Sequence, residues 1–218
     1  MYFRFLIDDA TGCASYLLAD STQREAVIID PRVEDMAVLH SMLDEQSLDL
    51  TWVIRTHHHP SDKALTAMDW PLPPANLIDN AVQPDHPTEL RFGSQRLRLI
   101  STPGHTATCI SCVWRDRVFC GGLLAPDACP HQPWPAKPAS LWDSVTREIF
   151  TLPNETLLFS GHSRAKRLVS TVQEQRSTHP WFAGNSRDEF LSRFTPHSGV
   201  KPLQPFLSVT PSELSNVP

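Results

Sequence analysis

Glycine is scarce in this chain, with eight residues among 218 against twenty prolines. No Gly-rich phosphate loop and no Gly-x-Ser-x-Gly elbow occurs, so nucleotide-binding and serine-hydrolase chemistry have no support. Long basic runs are missing and the net charge is -5, which argues against a nucleic-acid surface. No apolar run approaches the roughly 20 residues needed to span a bilayer. The start, Met1-Tyr2-Phe3-Arg4-Phe5, soon meets Asp8 and Asp9 and lacks the long apolar core of a signal peptide. A cytoplasmic protein with no membrane partner is therefore expected. Cysteine is sparse and odd in number, at five, which disfavours a complete disulfide framework.

What is present suits one folded domain spanning residues 1–218. The hydrophobic fraction of 40% is ordinary for a folded protein, and this length can bury a sizeable core. Tyr2 to Ile7, Ala14 to Leu18 and Ala26 to Ile29 read as short strands. Val33 to Gln46 has helical spacing, and Leu50 to Ile54 is a buried strand. Ser61 is suited to cap a short helix from Asp62 to Met68. Residues 69–88 read as irregular, within a region from 60 to 138 made loop-rich and rigid by proline. Strands return at Leu90 to Phe92, Gln95 to Ser101, Ala107 to Trp114, Arg117 to Cys120 and Thr156 to Ser160, with a hairpin turn at Trp114 to Arg117. Helices are expected at Ser140 to Phe150, Leu168 to Arg176 and Arg187 to Phe194, and residues 195–218 form an extended Pro-rich strap. Strands, a helix, then strands and helices again suggest sheet packed on sheet with helices outside.

The chemistry lies just beyond strand ends. Thr56-His57-His58-His59 follows the apolar run Leu50 to Ile54. In extended backbone residues i and i+2 share a side, so His57 and His59 can reach one ion while His58 points away. His105 follows a second strand, in Thr102-Pro103-Gly104-His105-Thr106, and His162 follows a third, in Gly161-His162. Three strand ends delivering histidine is how a site is assembled from distant sequence. The bland alternatives are loop histidines kept for shape or hydrogen bonding. His58, His86, His131, His179 and His197 read as structural or surface residues. Cys109 and Cys112 form a CxxC, but within a strand they would face opposite sheet faces, which suits core cysteines better than a redox or zinc pair. Cys120 shares strand parity with Gly122 and is either a soft ligand or a buried core thiol.

In their order and joint occurrence, Thr56-His57-x-His59, Thr102-Pro103-Gly104-His105-Thr106 and Gly161-His162 resemble the metallo-β-lactamase superfamily. Glu25-Ala26-Val27-Ile28-Ile29-Asp30-Pro31, Leu141-Trp142-Asp143-Ser144-Val145 and Ala183-Gly184-Asn185-Ser186 look like the persulfide dioxygenase branch. The resemblance implies an α/β fold, the αββα sandwich. It also implies oxidation of glutathione persulfide by O2 to sulfite and glutathione, at a mononuclear iron held by two histidines and an aspartate with open positions for sulfur and O2.

The chain departs from that pattern. The family's His-x-His-x-Asp-His reads here His57-His58-His59-Pro60-Ser61-Asp62, and the later ligand aspartate is replaced by Gly122. What remains is a three-imidazole expectation, His57, His59 and His105, with His162 and Asp62 as weaker candidates. One divalent ion is expected, Fe(II) ahead of zinc, with an ion-free protein as the remaining alternative. The family arginine that contacts glutathione is absent from residues 125–132, and after His162 only Arg167 matches directly. Arg164, Lys166 and Arg167 can attract a carboxylate-bearing thiol by charge, or simply form a solvated helix start. The expected partner is a small thiol or persulfide related to glutathione, and a homodimer is open. The leading expectation is a divergent persulfide dioxygenase-like protein. Its rivals are a non-catalytic binding relative and, last, a glyoxalase II-like thioesterase.

Overall fold

The computed structural model describes residues 1–59, 76–79, 88–125, 134–163 and 167–194. The helix expected at Asp62 to Met68 and the strap at 195–218 lie outside these residues. β1 (Tyr2–Ile7), β2 (Ala14–Asp20) and β3 (Glu25–Ile29) form an antiparallel meander. A 3-10 turn at Val33–Asp35 leads into α1 (Met36–Glu45), which returns the chain to β4 (Asp49–Arg55), parallel to β3. β5 (Asn76–Asp79) adds in parallel beside β4, giving the order β1-β2-β3-β4-β5.

The second sheet has the order β11-β10-β9-β8-β7-β6. β6 (Thr88–Phe92), β7 (Gln95–Ser101), β8 (Ile110–Trp114) and β9 (Arg117–Gly121) run antiparallel in sequence. α2 (Pro138–Ser144) continues as a π-helical turn, Val145–Ile149, before β10 (Leu157–Ser160) joins parallel to β9. β11 (Val169–Thr171) closes this sheet and runs straight into α3 (Val172–Thr178); α4 (Arg187–Ser192) follows. The Ser186 side chain accepts from the Glu189 amide and the Glu189 carboxylate accepts from the Ser186 amide, a reciprocal cap that starts α4.

Strand alternation builds three apolar layers. Tyr16, Leu18, Val27, Ile29 and Ile54 of the first sheet meet Leu97, Leu99, Cys112, Trp114, Phe119 and Phe159 of the second. The opposite face of β2 and β3, with Leu17, Ala19, Ala26 and Ile28, packs on Met36, Leu39 and Leu43 of α1. Val118, Cys120 and Leu158 face outward from the second sheet onto Leu141, Val145, Val172 and Phe190. The period-2 pattern with both faces apolar is what a sheet buried between a sheet and a helix layer requires. The expected αββα sandwich is therefore the fold.

Four local expectations change. Asn76–Asp79, expected to be irregular, is a strand. Val169–Thr171, expected to be helical, is a strand, because its backbone pairs with β10 before the helix begins. The helix expected over Ser140 to Phe150 is α-helical to Ser144 and π-helical after it. β8 begins at Ile110, so Cys109 is not a strand residue opposed to Cys112. Cys112 is a core cysteine between the sheets, whereas Cys109 sits in the loop that carries His105.

Candidate metal centre

Five loops at one end of the sandwich are laced together by their backbones. The Ile110 amide donates to the Thr56 carbonyl (2.9 Å), tying the end of β4 to the start of β8 across the two sheets. The Gly161 amide donates to the Gly121 carbonyl (2.8 Å), and the Ala14 amide to the Gly161 carbonyl (2.9 Å). Cys13 and His162 form an antiparallel bridge, and the Ser163 amide donates to the Gly12 carbonyl (3.0 Å). The Thr102–His105 turn is pinned under α2: the Lys137 amide donates to the Gly104 carbonyl (2.9 Å) and the Ser144 hydroxyl to the Pro103 carbonyl (2.8 Å). A Cβ at Gly104 would lie 2.2 Å from the Leu141 Cα, so only glycine lets the turn approach the helix this closely.

This lacing brings four buried imidazoles together. One ligand atom from each of His57, His59 and His162 falls within 4.8 Å of the others. Nε2 of His57 lies 3.2 Å from Nε2 of His162. Two nitrogens bound to one tetrahedral zinc stand roughly 3.3 Å apart, given bonds of about 2.0–2.1 Å, so this spacing suits a shared ion. The His105 ring adjoins the set, its centre 5.2 Å from that of His57 and 5.3 Å from that of His59. His162, the weaker candidate from sequence, thus stands in the inner set of nitrogens, and His105 stands beside it. His58 accepts from the Arg55 guanidinium (2.7 Å).

Burial keeps the His57 and His105 rings neutral. Burial holds the His57 imidazole well below its ordinary value, and the neighbouring His162 and His59 push in the same direction. Burial likewise brings His105 down to about 2. Neutral imidazole presents the lone pair that a divalent ion needs. Asp30, the residue after β3, accepts from the Thr56 amide and hydroxyl, both at 2.6 Å. Sequence reasoning did not give Asp30 or Thr56 a role at the site; the signal was available in Asp30-Pro31 and Thr56 as the residues closing adjacent parallel strands.

The remaining candidates divide clearly. Cys120 faces the outer helical layer, its thiol donating to the Leu124 carbonyl (3.0 Å), and burial pushes it up to about 12. It is a core thiol. Cys109 lies nearer the histidines, its Sγ 3.1 Å from the Thr106 hydroxyl and 3.9 Å from Nδ1 of His105. The Arg167 guanidinium pairs with Glu174 (2.6 Å), and Arg167 leads into β11 rather than starting a helix. His179 is structural: its Nδ1 accepts from the Trp181 amide (3.1 Å). Asp62, Arg164 and Lys166 lie outside the described residues, as do His86, His131 and His197.

A sandwich of this order with histidines at its strand ends defines a protein of the metallo-β-lactamase superfamily. The human protein "Persulfide dioxygenase ETHE1, mitochondrial" is 32% identical over 188 residues, covering 81% of this chain and 74% of that protein. The crystal structure of ETHE1 from Myxococcus xanthus superposes with a TM-score of 0.79 at 33% identity, over 94% of this chain and 95% of that one. The hydroxyacylglutathione hydrolase of Shewanella sp. (strain ANA-3) is 28% identical over 165 residues, 67% of this chain and 60% of that protein. No family model matches the chain. The chain belongs to the metallo-β-lactamase superfamily, in its persulfide dioxygenase-like branch. Among the described residues no helix is long and apolar enough to cross a membrane.

Proposed function

We propose that the protein is a metal-dependent persulfide dioxygenase-like enzyme that oxidises glutathione persulfide or a related low-molecular-weight persulfide. The balance is one persulfide, O2 and water giving one thiol, sulfite and two protons. The observation that carries this reading is the convergence of His57, His59 and His162 within 4.8 Å at the strand ends of this fold. Iron is favoured over zinc because imidazole suits both and only iron is redox-active. When bound, the ion supplies a redox-active Lewis acid at which persulfide sulfur and O2 meet. His57, His59 and His162 would each offer a nitrogen to that ion, Asp30 and Thr56 orient His57, and burial of the three rings keeps bulk water away from them. Among the described residues Cys109, Cys112 and Cys120 carry thiols outside any disulfide, which suits a reducing compartment and a cytoplasmic placement.

A test is O2 uptake with glutathione persulfide by iron-loaded protein prepared without oxygen. Persulfide-dependent uptake that is lost in His57→Ala supports the proposal. Uptake that is absent, or unchanged in His57→Ala, overturns it. Gly122, which offers no donor atom, and Arg167, already paired with Glu174, favour a second reading, a binding protein without turnover. That reading predicts thiol or persulfide binding by calorimetry with no O2 uptake at any metal loading. A hydroxyacylglutathione hydrolase-like activity ranks third, and air-free hydrolysis of an acyl-glutathione thioester would bring it forward.

A further inference from the structure

We propose that β1 is a self-association edge, at which two copies of the chain pair their β1 strands antiparallel about Phe5. The two sheets end at β1, β5, β6 and β11. β6 is sealed: its Arg91 carbonyl accepts from the Trp52 indole (2.9 Å), and the Gly93 amide that follows donates to Glu25 (2.8 Å). β5 and β11 are four and three residues long, against six for β1. Edge strands of soluble proteins are commonly blunted by brevity, a bulge or a proline, and β1 has none of these. The Asp8 amide donates to the Cys13 carbonyl (2.9 Å), in register with the pairing of β1 on β2. Bonded and non-bonded pairs alternate from there. Tyr2, Arg4 and Leu6 therefore bond to β2, while Phe3, Phe5 and Ile7 aim their backbone groups outward. The Arg4 guanidinium, donating to the Phe3 carbonyl (2.8 Å), is the one partner those outward groups have among the described residues. Phe3 and Ile7 pack into the core between the sheets; Phe5, on the same face, is 49% exposed.

A second copy of β1 complements this edge in hydrogen bonds, apolar surface and charge. With Phe5 opposite Phe5 and Phe3 opposite Ile7, outward amides meet outward carbonyls along the strand. Each half-exposed Phe5 ring is then covered by its counterpart, an aromatic cross-strand pair. Arg4 is a positive charge within β1, and Asp8 is a negative charge just past its far end. An antiparallel copy brings each Arg4 diagonally beside the Asp8 of the other chain. Asp8 also pairs with Arg32 (3.1 Å) but keeps 27% of its side chain exposed. Charge and length together select the register. Phe3 opposite Phe5 would set Arg4 against Arg4, and Phe5 opposite Ile7 would leave much of β1 unpaired. The Arg4 guanidinium can stay on the Phe3 carbonyl, which has a second lone pair for an incoming amide. The pairing is two-fold and closes on itself, so it stops at a dimer. Neither the metal nor persulfide chemistry enters into it.

The experiment is sedimentation velocity on the full chain, from low micromolar to high micromolar concentration, for wild type, Phe5→Lys and Phe5→Pro. Amide hydrogen exchange of the wild type is read residue by residue by NMR at both ends of that range. Wild type is expected to pass from monomer to dimer as concentration rises. The amides of Phe3, Phe5 and Ile7 should then slow by about tenfold or more, while those of Tyr2, Arg4 and Leu6 are slow throughout. Proline at 5 removes an N–H that faces outward, so the monomer loses no bond to β2. Lysine at 5 sets two like charges opposite each other at the two-fold axis. Each variant should weaken association by about tenfold or more, with a thermal midpoint at low concentration that shows an intact fold. Should Phe5→Pro not fold, Phe5→Lys and the exchange pattern carry the comparison. A wild type that stays monomeric overturns the proposal, and so does a folded Phe5→Lys that associates like wild type. Slow outward amides in a monomer would show that another segment of the same chain covers the edge, which also overturns it. A dimer whose outward amides stay fast places the seam elsewhere and overturns it too. None of these outcomes touches the metal or persulfide reading.

Discussion

The hydroxyl oxygen of Thr56 stands 2.8 Å from Nδ1 of His57, with the Asp30 carboxylate 2.6 Å away on its other side. A carboxylate only accepts, so the hydroxyl proton goes to Asp30 and the Thr56 oxygen accepts from Nδ1–H of His57. The tautomer of His57 is thereby set, and its Nε2 lone pair accepts from Nε2–H of His162 (3.2 Å). Thr56→Val should keep the fold and weaken zinc binding about 10–100-fold, the range for residues that orient a metal-bound histidine. Thr56→Ser should bind like wild type. Equal affinity for the valine variant in a chelator competition would show that Thr56 does not set the ring.

Gly12 holds the loop that carries His162. Its φ is +71°, and a Cβ there would lie 2.1 Å from the Ser163 carbonyl oxygen. Gly12→Ala combines backbone strain of about 1–3 kcal/mol with a backbone clash. A fall in the thermal midpoint of several degrees is expected, together with weaker metal binding. A variant with unchanged midpoint and affinity would mean that His162 is held some other way.

Cys120 should be dispensable for the ion. Its thiol is pushed up to about 12 by burial and donates to the Leu124 carbonyl, on the face of β9 turned toward the helices. Cys120→Ala removes one buried atom, a cost of about 1 kcal/mol, and should leave metal per chain unchanged by mass spectrometry. Loss of the ion would restore Cys120 as a ligand.

His179 gives the fold an acid-sensitive term. Burial lowers its imidazole from 6.5 to about 4, with the Ala125 backbone acting in the opposite direction. Below pH 6.5 the unfolded chain takes up the proton and the folded chain does not, so stability declines as pH falls from 6.5 to about 4 and this term is flat below that. The full effect is on the order of 3 kcal/mol. In urea titrations of the ion-free protein, His179→Gln should lose less stability than wild type between pH 7 and pH 4. Parallel curves would remove His179 from the acid response.

The sandwich was legible because its strands are buried on both faces and end in turn residues, and because His57, His59, His105 and His162 follow strands directly. β11 escaped because Val169-Ser170-Thr171 runs into α3 at Val172, so the apolar spacing reads through as a helix. β5 is a short run beyond Pro71, Pro73 and Pro74, and such surroundings signal loop. Sequence placed His105 ahead of His162 because it carried a ligand set over from resembling motifs. Where these rings stand depends on contacts between residues far apart in the chain, such as Gly12 against Ser163, that no local pattern carries. The pattern of histidines marked the strand ends where the imidazoles gather; packing such as that of Gly12 on Ser163 helps set how they face one another.

The central claim is that these imidazoles hold an ion. The most direct measurement is metal per chain by mass spectrometry, on folded protein purified without oxygen from cells supplied with iron and zinc, for wild type and His57→Ala. The account predicts close to one ion per wild-type chain, iron ahead of zinc, and loss of that ion in His57→Ala. A folded wild type that carries no metal, or an ion that His57→Ala retains, would contradict it.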